Sequence, residues 1–180
     1  MRGRSRSFGA AGRRVALPAC LLACLLAFPA AAPAAEKPVE VGQPVPEFTL
    51  QGLEGDPVSF QKNIRGKAPL TVFLFMTTAC SACFDELKEI HEFAGKNSGK
   101  VDAWAVAVDL RGAQTVAPYQ QANRFRVKYL IDPKFSLPRK FGFNYTPSLA
   151  VVDAKGVLLH KKGGYSPNER LPDLLRTFLK

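Results

Sequence analysis

The spacing of apolar residues changes several times along the chain, and each change marks an element. Phe48-Thr49-Leu50 and Val58-Ser59-Phe60 alternate in polarity and flank Gly52, Gly55, Asp56 and Pro57, the composition of a hairpin with a loose turn. Leu70 to Met76 is a continuous apolar run, which predicts a central strand buried on both faces. From Cys80 the period lengthens. Phe84, Leu87, Ile90 and Ala94 recur at helical spacing, Asp85, Lys88, Glu89 and Glu92 take the other side, and Gly95 is expected to end the helix. Val101 to Val108 returns to strand, Pro118 to Phe125 predicts a short helix opened by proline, and Val127 to Ile131 predicts a strand stopped by Asp132-Pro133.

Ser148 to Val152 and Val157 to His160, joined by Asp153-Ala154-Lys155-Gly156, predict an antiparallel hairpin. Ser166-Pro167-Asn168-Glu169 has the form of a capping box ahead of a last helix, with Leu171, Leu174, Leu175, Phe178 and Leu179 on its apolar face. Pro172 conflicts with one uninterrupted helix, so either the first turn is separate or the main helix begins at Pro172. Strands alternating with helices, then a closing hairpin and helix, predict an α/β fold with a mixed sheet covered on both faces.

The first 46 residues follow another pattern. Arg2, Arg4, Arg6, Arg13 and Arg14 stand in a stretch without acids, followed by the uncharged Leu- and Ala-rich segment Val15 to Phe28 and the small-residue tract Ala30 to Ala35. That order is a secretory signal, with cleavage expected near Ala34. We therefore expect a signal peptide over 1–34, an extended Pro-, Glu- and Val-rich leader over 35–46, and one domain over 47–180. A retained membrane anchor is the competing reading of Val15 to Ala35, against which Pro18, Pro29 and Pro33 weigh. Leu21-Leu22-Ala23-Cys24 loosely resembles a lipoprotein signal, and Arg13-Arg14 a twin-arginine signal. All of these readings place the domain outside the cytoplasm, in a periplasmic or other extracytoplasmic space, with a membrane tether if the signal is uncleaved or lipidated.

Charge adds little once the signal is set aside. The whole chain carries a formal net charge of +10, and residues 35–180 keep 20 basic and 15 acidic side chains. Lys134, Arg139, Lys140, Lys161 and Lys162 are the nearest approach to a basic cluster and read as solvated surface, so no nucleic-acid partner is expected. The roughly 146 residues that remain suffice for a core without covalent staples. Of the four cysteines, Cys20 and Cys24 leave with the signal, and Cys80 and Cys83 stay, two residues apart. A loop that short constrains the unfolded chain very little, so redox work in an oxidising compartment explains the pair better than stapling.

A strand running into Thr77-Thr78-Ala79 and then a helix places Cys80 at a helix N-terminus, where unpaired N–H groups and the dipole favour a thiolate. Cys80 is the expected nucleophile. Cys83, one turn on, can attack a mixed disulfide formed on Cys80, which makes it the expected resolving cysteine. A CxxC pair is also half of a zinc site, but no second pair completes a shell, and His91 and His160 read as ordinary surface histidines. No metal and no cofactor is expected. Glu86, three residues beyond Cys83, sits at the edge of the apolar stripe. It is either a carboxylate able to take the resolving thiol's proton or an acid favouring the first turns of a helix.

These residues resemble the TlpA/ResA-like branch of the thioredoxin superfamily, with a redoxin (AhpC/TSA-type) domain, from about Gly42 to the C-terminus. The likeness is carried by Gly42-Gln43-Pro44-Val45-Pro46-Glu47-Phe48-Thr49-Leu50, Cys80-Ser81-Ala82-Cys83-Phe84-Asp85-Glu86, Asp132-Pro133 before Phe141-Gly142-Phe143, and Tyr145-Thr146-Pro147-Ser148 before Val151 to Gly156. The resemblance implies a thioredoxin-like fold, a central mixed sheet flanked by helices, with an N-terminal β-hairpin extension. It implies a cis bond before Pro147 beside the cysteines, a Thr146 backbone that pairs with the substrate chain, and a functional carboxylate at Glu86. It further implies an exported thiol–disulfide oxidoreductase, a reductase of disulfides in exported proteins, with apocytochrome c or a copper-site protein as clients and a membrane thiol donor as recharging partner. Ala79 stands where the branch has Trp, Leu74 where thioredoxin has a buried acid, and Lys88 where a helix proline is common.

Two other activities compete. A copper-delivering protein would hold Cu(I) on the two thiolates, although carriers of this fold use a wider CxxxC pair with a nearby His. A thiol peroxidase shares the fold and has Thr77 three residues before Cys80, but Phe73 occupies the place of its motif proline.

Overall fold

The computed structural model describes residues 37–179, so the signal segment and its cleavage site lie outside the described residues. Twelve elements follow in order: β1 Thr49–Gly52, β2 Pro57–Ser59, a π-helical turn Phe60–Ile64, β3 Leu70–Met76, α1 Ser81–Lys96, β4 Val101–Ala107, α2 Ala113–Asn123, β5 Lys128–Ile131, α3 Ser136–Lys140, β6 Ser148–Asp153, β7 Leu158–Gly163 and α4 Leu171–Arg176. The strands form one mixed sheet in the order β2-β1-β5-β4-β3-β6-β7.

The apolar run predicted as a central strand is β3, no residue of which is more than 2 % exposed. It pairs in parallel with β4 along its whole length and antiparallel with β6 from Leu70↔Asp153 to Phe75↔Ser148. Alternation sends its side chains to two cores. Leu70, Val72, Leu74 and Met76 meet Leu87, Ile90 and Phe93 of α1, Val116 of α2 and Leu171 and Leu175 of α4. Phe73 and Phe75 meet Phe48, Phe60, Phe141 and Phe143 on the other face, in a chain of ring contacts with centroids 5.3–6.4 Å apart. Both faces are thus covered, as a parallel sheet centre requires.

The hairpin β1–β2 forms in register Thr49↔Ser59, and β1 also pairs antiparallel with β5 at Gln51↔Ile131 and Gly52↔Leu130. It is an edge of the main sheet more than an appendage. Phe60 is not a strand residue but opens the π-helical turn, which Ser59 caps by accepting from Lys62 N, with Glu47 holding Ser59 Oγ and Gln61 N. The described part of the leader is not extended throughout, since Gln43 N donates to Glu40 O at 3.0 Å and closes a turn with Gly42 at a φ of +88°, and it is pinned to the domain. Val39 N donates to Lys140 O, Gly42 N to Leu158 O and Val45 N to Gly156 O, each at 2.8 Å.

Several element limits differ from expectation, three of them for reasons the packing shows. Helix α1 continues through Gly95 to Lys96, because Phe93 and Ala94 beside it are buried and hold that turn against the core. Helix α2 starts at Ala113, five residues before Pro118, which lies inside it. Gly112, at a φ of +53°, starts the helix and the fully buried Val116 anchors its first turn, so packing outweighs the missing proline N–H. Before α4 the Ser166–Glu169 segment closes only a backbone turn, Glu169 N donating to Ser166 O, and the helix begins at Leu171 with Pro172 in its first turn. Proline is tolerated there because that N–H has no helical partner anyway.

Candidate active site

Strands β3 and β4 end side by side at Met76↔Ala107, and β6 begins there with Ser148 opposite Phe75. The three loops at this end bring together Thr77–Cys80, Val108–Gly112 and Tyr145–Pro147. Cys80 is the N-cap of α1 in extended conformation, its Sγ accepting from Cys83 N at 3.1 Å. A sulfur so placed faces the free amides and the positive end of the helix dipole. The two cysteines are joined as a disulfide with Cα atoms 5.2 Å apart; Cys80 is half-buried and Cys83 has no exposed surface.

The peptide bond between Thr146 and Pro147 is cis. Its loop is held at three points. Ser148 Oγ donates to Tyr145 O at 2.8 Å, Gly164 N donates to Pro147 O at 2.8 Å, and the Tyr145 ring lies so close over Gly163 that a Cβ there would collide with it. The end of β7 is thereby tied to the proline loop.

Glu86 lies within the buried stripe of α1, not at its edge, and is 0 % exposed. Neither carboxylate oxygen has a hydrogen-bond partner among the described residues. Lys162 of β7 reaches Oε1 at 3.5 Å, an ion-pair distance. Burial dominates and raises the Glu86 carboxyl to about 7, while Lys162 pulls it down and Glu89 and Glu169 add to the rise. A group balanced near neutrality, one helical turn from a buried thiol, can accept and return a proton at working pH.

Lys162 was expected to be solvated surface, yet its side chain is only 14 % exposed. Adjacent strand positions point to opposite faces, so Lys161 turns the other way, donating to Val39 O and Phe141 O and pairing with Glu40. Lys162 also meets Glu169 at 3.2 Å, and both line a cavity of about 390 Å³ with His160, Arg170, Leu171 and Leu174. The two histidines are not plain surface groups. His91 Nδ1 accepts from Arg126 N at 2.9 Å, whereas His160 makes a tilted ring contact with Phe178, its buried Nε2 has no hydrogen-bond partner among the described residues, and burial lowers its pKa.

A further residue escaped sequence reasoning. Asp109, just past β4, accepts from Thr78 N at 3.1 Å and from Thr78 Oγ1 at 2.6 Å, fixing the turn before Cys80. The parallel pairing of two apolar runs is the signal that could have found it, since residues just past two such strands meet. Phe84, expected on the buried face, is 37 % exposed and makes a tilted ring contact with Phe125. With Leu110 at 89 % and Tyr145 at 52 % it makes an apolar rim at the cysteine end of the sheet. Among the described residues no group of three or more His, Cys, Asp and Glu side chains is gathered to hold a metal ion.

The model of the AhpC/TSA family matches residues 41–161, two-thirds of the chain. The chain belongs to the AhpC/TSA family. No curated protein sequence matches it. Among solved structures, this AhpC/TSA chain is similar to a protein assigned as the thiol:disulfide interchange protein DsbE of Chlorobium tepidum, with 20 % identity, a TM-score of 0.69, and 79 % of this chain and 99 % of that one covered. It is also similar to StoA of Bacillus subtilis, at 21 % identity and a TM-score of 0.59 over 76 % of this chain and 98 % of that one. An uncharacterized thioredoxin-like protein of Porphyromonas gingivalis matches at 26 % identity and a TM-score of 0.62, over 77 % and 90 % of the two chains. The fold of this AhpC/TSA member is thioredoxin-like, and neighbours of that fold include proteins described as a thiol:disulfide interchange protein and a thiol-disulfide oxidoreductase.

Proposed function

We propose that this protein is an exported thiol–disulfide oxidoreductase that reduces disulfides in other exported proteins. The observation that carries the reading is the order of depth along one helix: Cys80 half-buried at its start, Cys83 buried one turn behind, Glu86 buried one turn further. In the reduced protein the Cys80 thiolate attacks a client disulfide; the client S–S bond breaks, a mixed disulfide forms on Cys80, and the departing client sulfur takes a proton from solvent. The Cys83 thiol then passes its proton to the Glu86 carboxylate and attacks Cys80 Sγ. That step breaks the mixed disulfide, expels the second client sulfur, which takes its proton back from the Glu86 carboxyl, and leaves the Cys80–Cys83 bond present in this structure. A thiol donor outside the chain, taken to be membrane-borne, returns two electrons and two protons. The Thr146 backbone ahead of the cis proline is the proposed pairing edge for the client chain.

Thiol peroxidase activity also occurs with this fold, but Phe73 replaces the motif proline, and the partner sulfur stands one turn away, which suits intramolecular resolution of a mixed disulfide. The test is trapping. A Cys83→Ser variant expressed in the exporting cell should accumulate disulfide-linked to client proteins through Cys80, and a Cys80→Ser variant should not. Normal turnover of Cys83→Ser with nothing trapped would overturn the assignment.

A further inference from the structure

Lys162 stands between two carboxylates that differ in kind. Glu86 lies on its inner side, fully buried at 3.5 Å; Glu169 lies on its outer side at 3.2 Å, with two-thirds of its side chain exposed. One ammonium group is therefore shared between a group inside the site and a group on the segment between β7 and α4. Lys162 is fixed in that seam from below, because its strand position opposite Leu149 is set by the β6–β7 pairing.

We propose that Lys162 and Glu169 are positioning residues that act through Glu86: Lys162 holds the buried carboxylate, and Glu169, by drawing the same ammonium outward, limits how firmly it does so. The inference rests on the reading of Glu86 as the proton acceptor for Cys83. An opposite charge within about 4–6 Å favours the ionised carboxylate by one to three pKa units, and a like charge acts the other way. Loss of Lys162 and loss of Glu169 must then move Glu86 in opposite directions.

The other charged and titratable groups around the seam are Asp85 and Glu89 on α1, His160 on β7, Tyr165 in the following loop, and Arg170 and Asp173 at the start of α4. Tyr165 donates to Glu89 at 2.7 Å, which partly occupies that second carboxylate. Arg170 and Asp173 pair with each other at 3.2 Å. His160 Nε2 has no hydrogen-bond partner among the described residues, and burial, then Lys162, lower its pKa while Glu169 opposes them. None of these bridges the buried carboxylate to the outside as Lys162 does.

The experiment follows the Glu86 side-chain carboxyl carbon by NMR against pH in the oxidised full chain, with the resonance identified by its loss in Glu86→Gln. Lys162→Met is expected to raise the Glu86 midpoint by about one pH unit or more, Lys162→Arg to restore it, and Glu169→Gln to lower it. The pH limb of turnover with a protein disulfide is measured on the same variants and is expected to follow. Midpoints that stay put, or that move the same way in Lys162→Met and Glu169→Gln, overturn the inference and leave the role of Glu86 intact. Midpoints that move oppositely while turnover ignores them uphold the shared-ammonium device and overturn the assignment of Glu86 as proton acceptor.

Discussion

Asp109 takes both polar groups of Thr78, the backbone N–H at 3.1 Å and the hydroxyl at 2.6 Å, so the turn that delivers Cys80 to its helix is clamped to the neighbouring strand end. Thr78 and Asp109 lie 31 positions apart, and the clamp exists only because β3 and β4 run in parallel and finish in register.

Removing that carboxylate should loosen the nucleophile's loop. Asp109→Ala strands a half-buried N–H and a hydroxyl, and is expected to lower unfolding free energy by roughly 1–3 kcal/mol. Asp109→Asn keeps an amide oxygen for Thr78 and should lose less than half as much. Denaturant midpoints on the oxidised protein check the stability, and the rate of exchange with a small disulfide checks the loop. Equal losses in both variants would show that the charge matters, not the hydrogen bonds.

The buried Glu86 predicts how stability changes with pH. Its carboxyl is raised from 4.5 in the unfolded chain to about 7 in the fold, so between those values the folded state holds a proton that the unfolded state has lost. Stability therefore falls as pH rises through this window, by roughly 3 kcal/mol at most, and is flat in this term below 4.5 and above 7. Glu86→Gln removes the ionisable group, so its stability relative to the parent should rise from pH 5 to pH 8. Thermal melts of the oxidised proteins at both pH values decide it; a constant difference would place Glu86 in a solvated, unshifted state.

The legible parts of this molecule were those in which local pattern and final environment agree. Leu70 to Met76 reads as a strand buried on both faces and is one; Cys80 and Cys83 read as the start of a helix, and α1 begins there. Lys161 and Lys162 show where local pattern runs out. They are identical neighbours in sequence, and only the pairing of β7 with β6 and the covering of one face by α1 and α4 sends one to Glu40 and the other to Glu86. Asp109 was hidden for the same reason, since its partner comes from another strand. Pro118 misled in the opposite way: a strong local preference for a helix start lost to the burial of Val116 two residues earlier.

Cys80 in the Cys83→Ser variant should titrate below the ~8.5 of an unperturbed thiol, because the helix start stabilises its thiolate. Absorbance of the thiolate or the rate of alkylation against pH measures it. A midpoint at or above ~8.5 would leave Cys80 a shielded thiol and remove the proposed chemistry, whatever the fold.

The apolar rim separates small substrates from large ones. Leu110, 89 % exposed, follows Asp109 and so lies beside the cysteine loop, with Phe84 and Tyr145 as the other large exposed apolar side chains of that end. A protein client covering the cysteines would cover Leu110 too, whereas a small disulfide reagent would not reach it. Leu110→Ser touches no buried group and should leave stability within roughly 0.5 kcal/mol. Loss of about 1 kcal/mol of apolar contact should raise KM for a protein disulfide by roughly fivefold. The same substitution should alter the small-disulfide rate much less. Equal effects on both substrates would mean that clients dock away from Leu110, and a change in kcat without KM would point to a disturbed Cys80 loop.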